Sequence, residues 1–152
     1  MRSRARFMAS FIPTARNIAA GGALALCGIW AAGASAADCR DTVLEVERAM
    51  QDGLSDLAAG QGLWDEGLSH RGATPGPDSP ACRFLTNGRD AYRRALTQFT
   101  NCENKLERVL ADCADPDWSA LSASPQTCGE TRSGAEGDLA GLDNDLSAAC
   151  AE

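Results

Sequence analysis

The side chains able to do chemistry in this chain are seven cysteines, 21 carboxylates and one histidine. No Cys-x-x-Cys occurs, which removes the usual zinc pairing, the thioredoxin motif and covalent haem attachment. His70 is the single histidine, so a mixed Cys/His metal site is excluded as well. His70 follows Glu66 by one helical turn, a spacing at which the two side chains share a proton. It also lies at the lip of a Gly/Pro-rich loop, where a solvated histidine is ordinary. Ser55, Ser69 and Ser79 carry no nucleophile-elbow motif that His70 would activate. Asp112, Asp115, Asp117 and Ser119 resemble the start of a calcium loop. With Asp115 as position one, however, Ala120 stands where glycine is required and Gln126 where the bidentate Glu belongs. Asp143-Asn144-Asp145 runs out of chain before a loop of that kind closes. Both clusters read as helix-end and surface charge. The residues point to no cofactor, no metal and no catalytic set.

The remaining chemistry of cysteine is the disulfide, and the front of the chain gives the reason. Arg2, Arg4, Arg6 and Arg16 precede the uncharged run Ile18–Ala32, which leads to Ala34-Ser35-Ala36. Basic, apolar and small-residue segments in that order are a secretory signal peptide, here residues 1–36, with the mature chain starting at Ala37. The expected location is the periplasm or the exterior, with no stable membrane span after cleavage. Cys27 leaves with the signal. Cys39, Cys82, Cys102, Cys113, Cys128 and Cys150 then form three disulfides. If the first and last helices each run antiparallel to the second, the pairs are Cys39–Cys102, Cys82–Cys150 and Cys113–Cys128.

Composition says why bridges are needed. From residue 37 on there is no Ile, and large aliphatic and Phe side chains make up under a fifth of the chain. That leans toward disorder unless covalent links restrict the unfolded state. Of 14 basic residues, four precede residue 17; the other 10 face 21 acidic ones, a balance of -11. Such a body is repelled by phosphate, so nucleic acid is excluded as a partner. Arg89, Arg93 and Arg94 form a basic spot, with Asp90 spaced to pair with Arg94.

The elements that must position these residues are helical, since β-branched aliphatics are nearly absent. Cys39, Val43, Val46, Met50, Leu54 and Leu57 recur every three or four residues. Thr42-x-x-Glu45 resembles a capping box; Gly53 weakens this helix and Gly60 and Gly62 end it, with Leu63, Trp64 and Leu68 as a further turn. Residues 69–80 are loop. Ser79-Pro80 opens a second helix, whose stripe Cys82, Leu85, Tyr92, Ala95, Phe99, Cys102, Leu106, Val109 and Cys113 continues to Pro116, with a kink signal at Asn87-Gly88. Asp115-Pro116 caps a short helix, and Ser133-x-x-Glu136 opens a last one carrying Leu139, Leu142, Leu146 and Cys150. The fold predicted is all-α: three main helices plus a short one, over residues 37–152, stapled by disulfides. Trp64 continues the first apolar stripe and belongs to the core or its edge. Trp118, at a helix start, is expected half exposed and is the candidate interface residue.

Cys113-Ala114-Asp115-Pro116-Asp117-Trp118-Ser119-Ala120-Leu121 resembles a segment of the periplasmic lysozyme-inhibitor-like (LprI-type) family, and Asp138–Ala149 is similar to the Leu-Asp helix that follows there. The two pieces are contiguous in the family and separated here. Ser122 replaces an Asp, Cys150 a Tyr, and the family's later Trp/Arg/Cys region is absent. No functional residue carries over. The resemblance and the charge imply an exported, non-catalytic binding protein with a cationic protein partner, such as lysozyme. The alternatives are an accessory or structural subunit of an envelope complex, marked by an exposed apolar patch, and a hydrolase using two carboxylates of raised pKa in a cleft.

Overall fold

A computed structural model of the protein describes residues 36–72 and 74–151. The signal-peptide segment, apart from Ala36, lies outside the described residues. Three helices follow in order, α1 (Ala36–Ser69), α2 (Pro80–Asp112) and α3 (Thr127–Ala149), with a 3-10 turn at Trp118–Ala120 and no strand among the described residues. The chain is all-α, as its composition predicts. α1 and α2 form a long antiparallel hairpin, and α3 packs chiefly on α2.

Helix α1 does not end at Gly60 or Gly62. It runs unbroken to Ser69 and stops where His70 N–H and Arg71 N–H turn back onto the carbonyls of Gly67 and Leu68, both at 3.2 Å. Three glycines of this helix, Gly53, Gly60 and Gly67, persist because each is a hole for a partner. A Cβ at Gly53 would lie 2.7 Å from Phe99, at Gly60 2.7 Å from Tyr92, and at Gly67 2.7 Å from Leu85. Gly53, Gly60 and Gly67 are successive heptad positions, and Phe99, Tyr92 and Leu85 are the same heptad read in the opposite direction. Seating these side chains between the backbones offsets the roughly 1 kcal/mol that glycine costs inside a helix. Asn87-Gly88 is likewise uninterrupted helix, because Gly88 faces the Gly60 carbonyl and Leu142.

The same register explains the disulfides. From Gly53 and Phe99, two more heptads through Val46 and Leu106 lead to Cys39 and Cys113, which are bonded with Cα atoms 5.8 Å apart. The expected Cys39–Cys102 and Cys113–Cys128 pairs are therefore wrong. Cys102 and Cys113 are 11 residues apart, about 16 Å along the helix, and the longer α1 carries Cys39 down to the farther one. Cys102 bonds Cys128 instead, since α3 starts earlier than Ser133. Cys82–Cys150 is as predicted and ties the start of α2 to the end of α3.

Caps follow the sequence at one site and depart from it at three. Ser79 accepts the Cys82 N–H at 3.1 Å, with Pro80 behind it. Thr42 is interior to α1, where its hydroxyl donates to the Asp38 carbonyl at 2.8 Å. Asp117, rather than Asp115, caps the 3-10 turn by accepting Ser119 N–H at 3.0 Å. Ser133 and Glu136 lie inside α3, and Glu136 pairs with Arg132.

Two clusters make the core. Val43, Val46, Ala49, Met50, Cys102, Val109, Cys113 and Cys128 fill the half where α1 begins. Leu85, Tyr92, Ala95, Phe99, Ala135, Leu142 and Leu146 fill much of the half nearer the α1–α2 loop, the hairpin half.

Candidate functional site

The six cysteines named from the sequence are all bonded and buried or half-buried, so their role is structural. Trp118 opens the 3-10 turn and is half-buried, packed against the first cluster. The turn's neighbour Ser122 fixes this segment to α1. Its N–H donates to Glu47 Oε2 at 2.9 Å, and Gln51 bridges Glu47 and Ser122. Burial alone would raise the Glu47 pKa, but the hydrogen bonds from Ser122 and Gln51 outweigh it and hold the carboxyl below its ordinary 4.5.

The hairpin end gathers most of the other chemistry-bearing groups. Trp64 is half-buried, as a residue of the apolar stripe should be. Its indole N–H donates to Asp145 Oδ2 at 2.8 Å, and its ring meets Tyr92 edge-on at 6.2 Å. Asp145 also accepts from the Arg71 guanidinium through Oδ1. One carboxylate thus joins α1, the loop and α3. Nothing in the sequence marks it, because its partners lie 81 and 74 residues away. Glu66 and His70 do meet, at 3.3 Å, with both side chains substantially exposed, and the imidazole stacks on Phe84 with centroids 5.5 Å apart.

Between these groups is a cavity of about 350 Å3 lined by His70, Arg71, Pro75, Ser79, Ala81, Leu85, Asp145, Ala148 and Ala149. Its wall is fixed: Gly76 N–H and the Ser79 hydroxyl both donate to the Ala149 carbonyl, at 3.0 and 3.3 Å. Asp145 is the one carboxylate of its lining, so it does not assemble the two-carboxylate cleft of a glycoside hydrolase.

The basic spot on α2 is broken up. Arg94 donates to Asp56 on α1 at 3.1 Å rather than to Asp90 on its own helix. Among the described residues no group of three or more His, Cys, Asp or Glu side chains is arranged so that it could hold a metal ion. Hydrogen bonds from the Ser119 side chain and backbone hold the Asp117 pKa below its ordinary 3.8, and the hydrogen bond and ion pair with Lys105 hold that of Glu45 below its ordinary 4.5.

No polar or charged residue is buried among those described, so the acidic excess faces solvent. Ion pairs engage Glu45, Asp56, Glu103, Glu136 and Asp145. Carboxylates outside these pairs lie along the whole body, with Asp65, Asp78 and Asp143 in the hairpin half and Asp41, Asp112 and Asp115 where α1 begins and α2 stops. α2 has no basic residue in its last turn, so the negative end of its dipole adds to that field. Large apolar side chains left exposed are Leu44, Leu54 and Leu110.

Compared with protein-family models, with curated proteins and with solved structures, the chain matches none.

Proposed function

We propose that this is an exported protein that binds a cationic protein through its acidic surface, with lysozyme the first partner to test. The observation that carries this reading is the placement of the charge. From residue 37 on the balance is -11, and none of the described charged side chains is buried, so the acidic excess faces solvent on a helical body cross-linked three times. Long-range attraction of this kind speeds encounter with a basic protein and is screened over roughly 8–10 Å in physiological salt. Three disulfides fit an oxidising compartment, which agrees with the signal-like front of the chain. The resemblance of residues 113–121 to the lysozyme-inhibitor-like family points the same way. The test is the association rate of the oxidised protein with lysozyme as a function of ionic strength. Association should slow about tenfold or more between low salt and a few hundred millimolar, with dissociation nearly unchanged. Absence of binding, or an association rate indifferent to salt, overturns the reading.

A further inference from the structure

The cavity at the hairpin end lies in the other half of the bundle from Trp118 and is independent of the reading above. Its floor is apolar: Leu85 and Ala81 are almost fully buried, and Pro75, Ala148 and Ala149 complete it. The side-chain oxygens of its lining are each already engaged in a hydrogen bond. Asp145 takes one hydrogen bond on each oxygen, from Trp64 and Arg71. Ser79 accepts from Cys82 and donates to Ala149, and Ala149 also accepts from Gly76. What remains on the rim is donor capacity. Arg71 has five N–H groups and gives one nitrogen, Nη2, to Asp145. Asp145 thereby holds the guanidinium beside an apolar hollow within the roughly 300–1,000 Å3 usual for small-molecule sites.

We infer that this cavity binds a small monocarboxylate with a short apolar body. The carboxylate sits on the spare face of the Arg71 fork, a geometry suited to paired N–H to O contacts, and the body lies on Ala81, Leu85 and Ala148. Asp145 and Glu66 close by disfavour a dianion such as phosphate. The probe is hexanoate, titrated into the 15N-labelled oxidised protein, with 1-hexanol and hexylammonium as controls. Hexanoate should give saturable shifts at the Ala81, Leu85 and Ala148 amides, with hexanol roughly tenfold weaker and hexylammonium weaker still. Arg71→Gln should reduce hexanoate to the level of hexanol. Ala148→Trp, at an exposed position that cannot unsettle the core, should abolish binding by filling the hollow. The inference is overturned if no saturable shift appears at roughly 20 mM hexanoate, above the millimolar affinity a ligand this small reaches. It is equally overturned if hexanol binds as tightly, if Arg71→Gln is without effect, or if Ala148→Trp still binds. Lysozyme association measured on Arg71→Gln should match the parent protein, which keeps the two proposals separately testable.

Discussion

The two halves of the bundle are held by different means. In the hairpin half, Leu85, Tyr92 and Phe99 enter glycine positions of α1, α3 closes the third side with Leu142 and Leu146, and one disulfide ties the ends. In the other half the third wall is the irregular segment around the 3-10 turn. The buried residues there are smaller, and Cys39–Cys113 and Cys102–Cys128 both fall in it. Covalent bridges sit where regular packing is thinnest. A chain poor in large aliphatic residues thus places most of its few aromatics in one half and most of its cysteines in the other.

The contrast is broken most forcefully by removing an aromatic. Phe99→Ala should lower unfolding stability by about 3–5 kcal/mol, because a fully buried ring vanishes between two rigid backbones. Val109→Ala, its counterpart in the other half, should cost about 2 kcal/mol. Chemical denaturation of the oxidised proteins measures both. Equal losses would mean that the halves do not differ in how they pack.

Removing one bridge is the next largest change. Replacing Cys39 and Cys113 together by serine should cost about 2–4 kcal/mol. Amide exchange should then quicken first around Val43, Val46 and the 3-10 turn, while the α2 amides near Tyr92 stay protected. Exchange that rises first near Tyr92 would reverse the assignment of the bridges to the weaker half.

pH should sharpen the comparison by a smaller effect, with opposite signs at the two ends of the scale. Glu47 is held below 4.5 in the folded protein, so its contribution is complete above that pH and is lost as pH falls through the folded value. Acid should loosen the Ser122 segment first, and Glu47→Gln should remove part of that sensitivity. Tyr92 is fully buried and its hydroxyl has no hydrogen-bond partner among the described residues. Burial, with Asp138 and Asp65 adding to it, pushes its pKa up to about 12 from 10.0; the nearby Gln61 amide opposes this weakly. Its contribution is complete below pH 10 and is lost as pH rises toward 12. Tyr92 is the chain's one tyrosine, so absorbance near 295 nm follows it alone. A folded-state midpoint near 10 would contradict the buried placement.

Much of this was legible from residue spacing: the all-α class, the Ser79-Pro80 start of α2, the buried stripe from Cys82 to Cys113, and the participation of all six cysteines in bridges. The errors about α1 share one cause. Glycine is read locally as a helix breaker, whereas Gly53, Gly60 and Gly67 serve a partner helix that local reading does not see. Ending α1 early then misplaced Cys39 relative to Cys102 and Cys113. Asp145 and the cavity were invisible for the same reason, since each is made by residues brought together only when α3 docks. Trp118 is half exposed as expected, but its packing against the first core cluster is a tertiary fact.

The comparison of Gly60→Ala with Gly62→Ala tests this account most directly. The two positions share a helix and differ in what a methyl group would meet. At Gly60 it would lie 2.7 Å from the Tyr92 ring and 3.4 Å from the Gly88 carbonyl, and at Gly62 nothing lies within 4 Å. Gly62→Ala should stabilise by up to about 1 kcal/mol, the helix-propensity gain. Gly60→Ala should destabilise by about 1–2 kcal/mol, as overpacking against a rigid ring exceeds that gain. Thermal or denaturant unfolding of the two oxidised variants reads the difference. Opposite signs are the predicted result; Gly60→Ala stabilising as much as Gly62→Ala would contradict the seating of α2 side chains in the glycines of α1.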